Sequence, residues 1–271
     1  TINKPIAFFT WQNIYKQYPL IFHQIEKFTL NNSSVAFTGS RSAGEVLKKK
    51  GFKGNCVMLP SGIDTDIYAS SEQAKILKEE LRKTDKEVII GYLGRIVAEK
   101  GLKTFLHALH KIEKLSWRLV MVGTGEYEAE FKQIASEFQL DDRISYLGYI
   151  PHTKAPLYLS AFDLLVLPSE TQSNWKEQFG RVIIESMACN TPVVGSDSGE
   201  IPYLIGATGG GLTFPEAQPE ALAEQLSKLI ENKNLRLNLG QQGRQAVVQN
   251  YTNNSLVRGF ADTIEKVVTT N

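Results

Sequence analysis

Cysteine is nearly absent. The chain holds two, Cys56 and Cys189, and neither sits in a C-x-x-C pair. That argues against a disulfide framework and a zinc ribbon and fits a reducing compartment. An excess of one charge is missing too: 30 basic residues face 29 acidic ones, a net charge of +1. Nucleic acid is therefore not expected as a main partner. The basic stretch KKKGFK (48–53) reads as a solvated helix end. No apolar run approaches the ~20 residues of a membrane span. No signal-peptide pattern opens the chain.

Metal-ligand patterns are missing as well. Of the four histidines, only His107 and His110 are close, and no carboxylate stands in register with them on the expected helix. Asp64-Thr65-Asp66 forms a D-x-D after PSGI, where capping of the next turn accounts for it better than a metal. No metal is expected. Gly123-Thr124-Gly125 precedes a helix, but Glu128 stands where the third glycine of a dinucleotide fingerprint belongs. A tight turn and a close approach to a ligand both remain open there. The chain also lacks an initiator methionine, and its first apolar segment, PIAFFTW (5–11), reads as a strand without obvious neighbours before it. An earlier part of the natural protein is therefore expected.

What is present is ordinary globular material. With 271 residues, 42% of them apolar, the chain can bury one large or two modest cores. Residues 18–30 have helical periodicity, with Pro19 suited to a first turn. VAFTGS (35–40) reads as a strand, 40–51 as a helix ending at Gly51, and CVMLPSGID (56–64) as a strand and turn. The polar stretch 65–86 holds a short charged helix and looks like a boundary.

From residue 87 strands and helices alternate. Strands are expected at 87–94, 117–123, 143–149, 164–168 and 192–197, with GGLTF following at 210–214. Helices are expected at 100–112, 126–140, 153–161, 179–189, 201–205, 219–232, 234–249 and 255–268. This spacing predicts an α/β fold with a Rossmann-like, doubly wound parallel sheet. Ligands of such sheets bind beyond the carboxyl ends of the strands, here after 94, 123, 149, 168 and 197.

The chemistry concentrates at those ends. Arg95 and Lys100 follow the first strand, and two cations there can neutralise a pyrophosphate. Pairing with Glu99 is the bland alternative. Glu177 and Glu185 bracket EQFGRVIIE, eight positions apart, with Gly180 just before an amphipathic run. A helix starting there offers free N–H groups and a positive dipole end to an anion. An acid before it and an acid on its second turn suit the hydroxyls of a sugar or ribose joined to that anion. The arrangement points to a nucleotide-sugar.

The segments GYLGRIVAEKG, VMVGTGEYE, ISYLGYI, LLVLPSE, EQFGRVIIESMACNTPVVGSDSGEIPYLI and GGGLTF resemble the C-terminal half of the retaining glycosyltransferases of family 4, also called group 1. The likeness is strong over about residues 85–250, and TWQNIYKQYP and VMLPSGIDTDIY are similar to the end of that family's N-terminal domain. The resemblance implies the GT-B fold with an incomplete N-terminal domain. Residues 1–70 would be its remainder and 71–250 the nucleotide-sugar domain. Residues 251–271 would be a helix crossing back.

It also implies roles. Arg95 and Lys100 match the residues that hold the donor's phosphates, Glu185 the acid on the ribose, and Glu177 the acid facing the transferred sugar. Gln178, Phe179 and Gly180 match the loop whose amides approach sugar and phosphate, and Gly123 belongs with the donor site. Tyr149 and Ile150 match the strand end beside the base. Arg181 departs from the aliphatic residue often found in the family.

The implied reaction moves a hexose from a UDP-sugar, or secondly a GDP-sugar, to a glycan or lipid-linked acceptor. It proceeds with retained configuration and without a metal or other cofactor. A cytoplasmic location, with peripheral association at the inner face of a membrane, follows as an expectation. The alternative is a donor-binding fragment that transfers nothing or hydrolyses its donor slowly. A nucleotide-amino-sugar epimerase shares the fold but not the EQFGRVIIE pattern, and the broken glycine motif disfavours a nicotinamide dehydrogenase.

Overall fold

Short runs rich in valine, isoleucine and leucine, too brief for helices and bounded by turn residues, form two parallel sheets in the computed structural model, which describes residues 4–269. The first sheet has three strands in the order β1 (Ala7–Thr10), β2 (Val35–Thr38), β3 (Asn55–Met58). They are joined by α1 (Leu20–Asn32) and α2 (Arg41–Lys49). Ser40 caps α2 by accepting from Ala43 N at 3.3 Å. The helical periodicity of 18–30 does not translate into a covered face. Of α1 only Leu30 is buried, while Leu20, Ile21, Phe22, Ile25 and Phe28 are exposed.

The second sheet carries β4 (Val88–Leu93), β5 (Trp117–Val122), β6 (Ile144–Gly148), β7 (Leu164–Leu167), β8 (Val193–Ser196) and β9 (Gly211–Phe214). All pairings are parallel and the order is β6-β5-β4-β7-β8-β9. The doubly wound sheet expected from the alternation is therefore present. Between the strands run α4 (Leu102–Lys111), α5 (Glu128–Glu137), α6 (Ala155–Ala161), α7 (Arg181–Ala188) and α8 (Ile201–Thr208). Before them comes α3 (Glu72–Leu81), and after them α9 (Pro219–Glu231), α10 (Lys233–Asn250) and α11 (Asn253–Thr269).

Alternation along β4 feeds two cores. Ile90 and Tyr92 join Phe105, Phe131 and Leu226 on one face, and Ile89 joins Ile183, Ile184 and Met187 on the other. Each fully buried side chain of this size contributes about 1.5–3 kcal/mol. The two windings part between β4 and β7. These strands pair only through Ile90 with Leu164 and Gly91 with Leu165, so their carboxyl ends diverge. The strand order reverses here, and the crevice beyond the carboxyl ends at such a reversal is where these sheets hold ligands.

Two chain segments link the sheets. Ile63, beyond β3, donates its N–H to Tyr251 O at 2.9 Å, and Asn253 N donates back to Ile63 O at 3.1 Å. From there α11 packs Phe260 against Phe37 of β2, with ring centroids 4.9 Å apart. Asp64 Oδ1 accepts from Asp66 N and Ile67 N at 3.0 and 3.3 Å, so the first acid of the D-x-D makes the turn read from the sequence.

Candidate active site at the β4–β7 crevice

After β4 the chain turns through Gly94 and Arg95 into a single 3-10 turn, Ala98–Lys100. Gly101 follows with φ +63°, and a Cβ there would lie 1.9 Å from Pro168 O at the end of β7. Glycine thus lets the β4–α4 loop press against the β7–α7 loop. Glu170 N donates to Glu99 O at 2.9 Å and ties the two loops together.

That contact delivers Lys100 to Glu177. Nζ lies 2.6 Å from Oε2, with both side chains nearly buried. The same oxygen accepts from Ser169 Oγ at 2.9 Å, and the Lys100 ammonium stands 4.9 Å from the Trp175 ring centroid. Glu177 is held from behind as well. Asn13 Nδ2 donates to Glu177 O at 3.3 Å across the gap between the sheets. Gly199, at φ +58° after β8, comes so close that a Cβ would sit 1.9 Å from that carbonyl.

Gly180, at φ +74°, turns the chain into α7. Phe179 just before it is a core residue, its ring 6.3 Å from that of Trp11 and 6.4 Å from that of Tyr251. Only its backbone is available to a ligand. Gln178 Nε2 donates to Trp11 O at 3.1 Å. Glu185, on the second turn of α7, is not a solvated acid but is 4% exposed. Arg181 Nε meets its Oε1 at 2.9 Å, and His152 Nε2 meets the same oxygen at 3.4 Å.

The remaining candidates ring the crevice more loosely. Arg95 is exposed and pairs with Glu99 at 3.5 Å, the bland alternative seen from the sequence. Gly123, at the end of β5, has φ +134°, and a Cβ would fall 1.8 Å from Gly94 O. The turn alone requires that glycine. Tyr149, just past β6, is 76% exposed, and Ile150 packs partly against the second core. The side chains brought into contact are thus Lys100 with Glu177 and Arg181 with Glu185.

Sequence reasoning missed Ser169, Trp175, Gly199, His152 and Tyr68. Ser169 and Gly199 follow β7 and β8 at the carboxyl ends, so the position rule alone could have named them. His152 follows β6 at the same end, so the rule reaches it too, whereas Tyr68 carries no local signal. Among the described residues no three His, Cys, Asp or Glu side chains cluster as a metal site. No helix among them is long and apolar enough to cross a membrane.

Two parallel-sheet units facing each other, with a cation–carboxylate crevice at the switch point of the larger, define the GT-B class of nucleotide-sugar-binding folds. Residues 73–246 match the family of glycosyl transferases group 1, and the chain belongs to that family. Among curated relatives, N-acetyl-alpha-D-glucosaminyl L-malate synthase of Bacillus anthracis is 27% identical over 73% of this chain and 50% of its own length. A GDP-mannose-dependent alpha-(1-6)-phosphatidylinositol monomannoside mannosyltransferase of Mycobacterium tuberculosis is 24% identical over 84% of this chain and 60% of its own. The chain thus spans about half the length of the curated relatives it matches.

Solved structures agree on the fold. Anabaena Alr3699/HepE in complex with UDP superposes with a TM-score of 0.85 at 19% identity, over 97% of this chain and 72% of that one. Sucrose-phosphate synthase of Thermosynechococcus elongatus gives 0.77 at 25% identity, over 94% and 63%.

Proposed function

We propose that this chain binds a nucleotide-sugar in the β4–β7 crevice and transfers its hexose, with retained configuration, to a glycan or lipid-linked acceptor. The observation that carries the proposal is the 2.6 Å Lys100–Glu177 pair at the crevice, beside the start of α7 and the buried Glu185. Such a cleft offers positive charge, helix N–H groups and carboxylates together, which is the complement of a sugar joined to a diphosphate.

Cleaving the anomeric bond puts negative charge on the departing diphosphate and positive charge on the ring. Lys100, Arg95 and the α7 N-terminus stabilise the diphosphate, in place of a metal ion. Glu177, held by Lys100 and Ser169, orients the sugar, while Glu185 takes the ribose hydroxyls. Gln178, Phe179 and Gly180 offer backbone groups to sugar and phosphate, and Gly123 closes the β5 end. Tyr149 and Ile150 flank the base. The relatives' names include a GDP-mannose donor and a UDP complex. UDP-sugars remain our first choice and GDP-sugars the second. We place the reaction in the cytoplasm, at the inner face of a membrane where the acceptor is lipid-linked.

A panel of nucleotide-sugars read by thermal stabilisation tests donor binding, since a ligand at 100 times its Kd adds about 2.7 kcal/mol. A transfer assay follows with the selected donor. Lys100→Ala and Glu185→Ala should each lower turnover by about 100-fold or more, the scale for losing an electrostatic contact. Unchanged turnover in both sinks the proposal. The share of the relatives' length that the chain spans favours one second reading, a donor-binding half without transfer activity; binding without turnover would select it.

A further inference from the structure

Glu185 sits within a chain of side chains drawn from three segments. Arg181 and Glu185 lie on α7, His152 follows β6, and Tyr68 lies in the segment that joins the two sheets. Tyr68 is 4% exposed and is fixed from the far side by Arg244 of α10, whose Nη1 donates to its carbonyl at 3.0 Å. His152 Nε2 lies 3.1 Å from the Tyr68 hydroxyl and 3.4 Å from Glu185 Oε1. A proton on Nε2 makes both contacts favourable, because a bare lone pair would face a carboxylate. The Tyr68 hydroxyl then keeps its own proton to donate. Burial, followed by the nearby Glu185 charge, pushes the Tyr68 phenol well above its ordinary pKa, so it stays a donor.

We propose that Arg181, His152 and Tyr68 are positioning residues that aim the Glu185 carboxylate at a vicinal diol. Through Tyr68, diol recognition then depends on the segment that joins the two sheets. The inference rests on the reading of Glu185 as the ribose acid. An isolated glutamate turns through three side-chain torsions, and a carboxylate accepts two hydroxyls at once only in a fixed plane. Two contacts on Oε1 anchor that oxygen and restrict the side-chain torsions before any ligand arrives, and such preorganisation lowers the ordering cost of binding. Arg181 belongs here although it departs from the aliphatic residue the family resemblance leads one to expect, since its planar head sets direction as well as charge.

The test is a ratio. Calorimetry on the chain compares a nucleoside diphosphate, UDP or GDP as the panel selects, with its 2′,3′-dideoxy analogue. The wild-type chain should favour the diol by about tenfold or more, the scale of a charged hydrogen bond. Tyr68→Phe and Arg181→Leu should each shrink that ratio at least about threefold by releasing the carboxylate, and leave the analogue's affinity unchanged. Arg181→Lys should restore part of it. Should Tyr68→Phe unfold, Arg181→Leu and His152→Gln carry the test.

Ratios untouched by these variants while Glu185→Gln abolishes the preference would overturn the inference and leave the ribose reading intact. Equal weakening of both ligands would reduce the three residues to scaffolding and overturn it too. A preference that survives Glu185→Gln, or the absence of any nucleotide binding, removes the ribose reading and this inference together.

Discussion

Replacing Lys100 by methionine keeps most of its volume and removes its charge. At 2.6 Å the Lys100–Glu177 attraction amounts to about 6 kcal/mol for an effective dielectric constant near 20. The cost of drying both charges offsets much of this, so the intact pair contributes little net stability. Breaking it is different. The Glu177 carboxylate would keep the Ser169 hydroxyl but lose its cation, and an unpaired buried charge costs about 3 kcal/mol. For a chain of this size the unfolding midpoint should fall by about 6–9 °C. Glu177→Gln should cost a similar amount by orphaning the lysine. The double variant Lys100→Met/Glu177→Gln should lose less than the sum of the two single losses, with a coupling of about 2 kcal/mol. Calorimetric melts of the four proteins without ligand give the cycle. Single variants within about 1 kcal/mol of the parent, with additive effects, would mean that water screens the pair, and the account of the crevice would fail.

Gly199→Ala should be more damaging than its size indicates: the residue has φ +58° and its new methyl would collide with Glu177 O. A loss of about 1–3 kcal/mol together with weaker nucleotide binding is expected; a loss of stability with unchanged binding would separate this loop from the site. Asp163 gives an acid-sensitive contribution. Burial raises its pKa, but Lys78 at 2.6 Å, its hydrogen bond and the Ile89 N–H outweigh burial, so the folded-state value lies below the ordinary one. Its stabilisation is therefore present above the unfolded carboxylate pKa and lost as pH falls through the folded one. Asp163→Asn should lower stability at neutral pH and flatten the acid limb of a melt series, and a parallel limb would refute this. Cys189 is buried, and burial pushes its thiol up to about 11, whereas Cys56 is half-buried. Alkylation followed by mass spectrometry should label Cys56 first and Cys189 only on unfolding.

Much of this fold is legible because its signals are local. Runs such as VIIGYL in β4 and WRLVMV in β5 are buried on both faces and bounded by turns, so length and bounding turns name them as strands. The parallel order follows from alternation with helices. The helix read at 18–30 is present as α1, but its apolar side is left uncovered, with only Leu30 buried. Periodicity reports which residues share a side, not what lies opposite. The site was legible in part for the same reason. Lys100, Glu177 and Gly180 announce themselves by type and position at strand ends. The bond between Lys100 and Glu177 spans 77 residues and depends on Gly101 letting two loops touch. No local pattern encodes that distance. Tyr68, 84 residues from the histidine it contacts, was silent for the same reason.

The two sheets are joined at Ile63 and at Tyr251–Asn253, and these crossings are bonded to each other rather than merely adjacent. A single strap would let the halves swivel in any direction. Two straps fastened side by side resist twisting and permit bending about one line, so any change in the gap between the sheets follows a hinge there. They also back each other up: a cut through either crossing would leave the halves moored by the other.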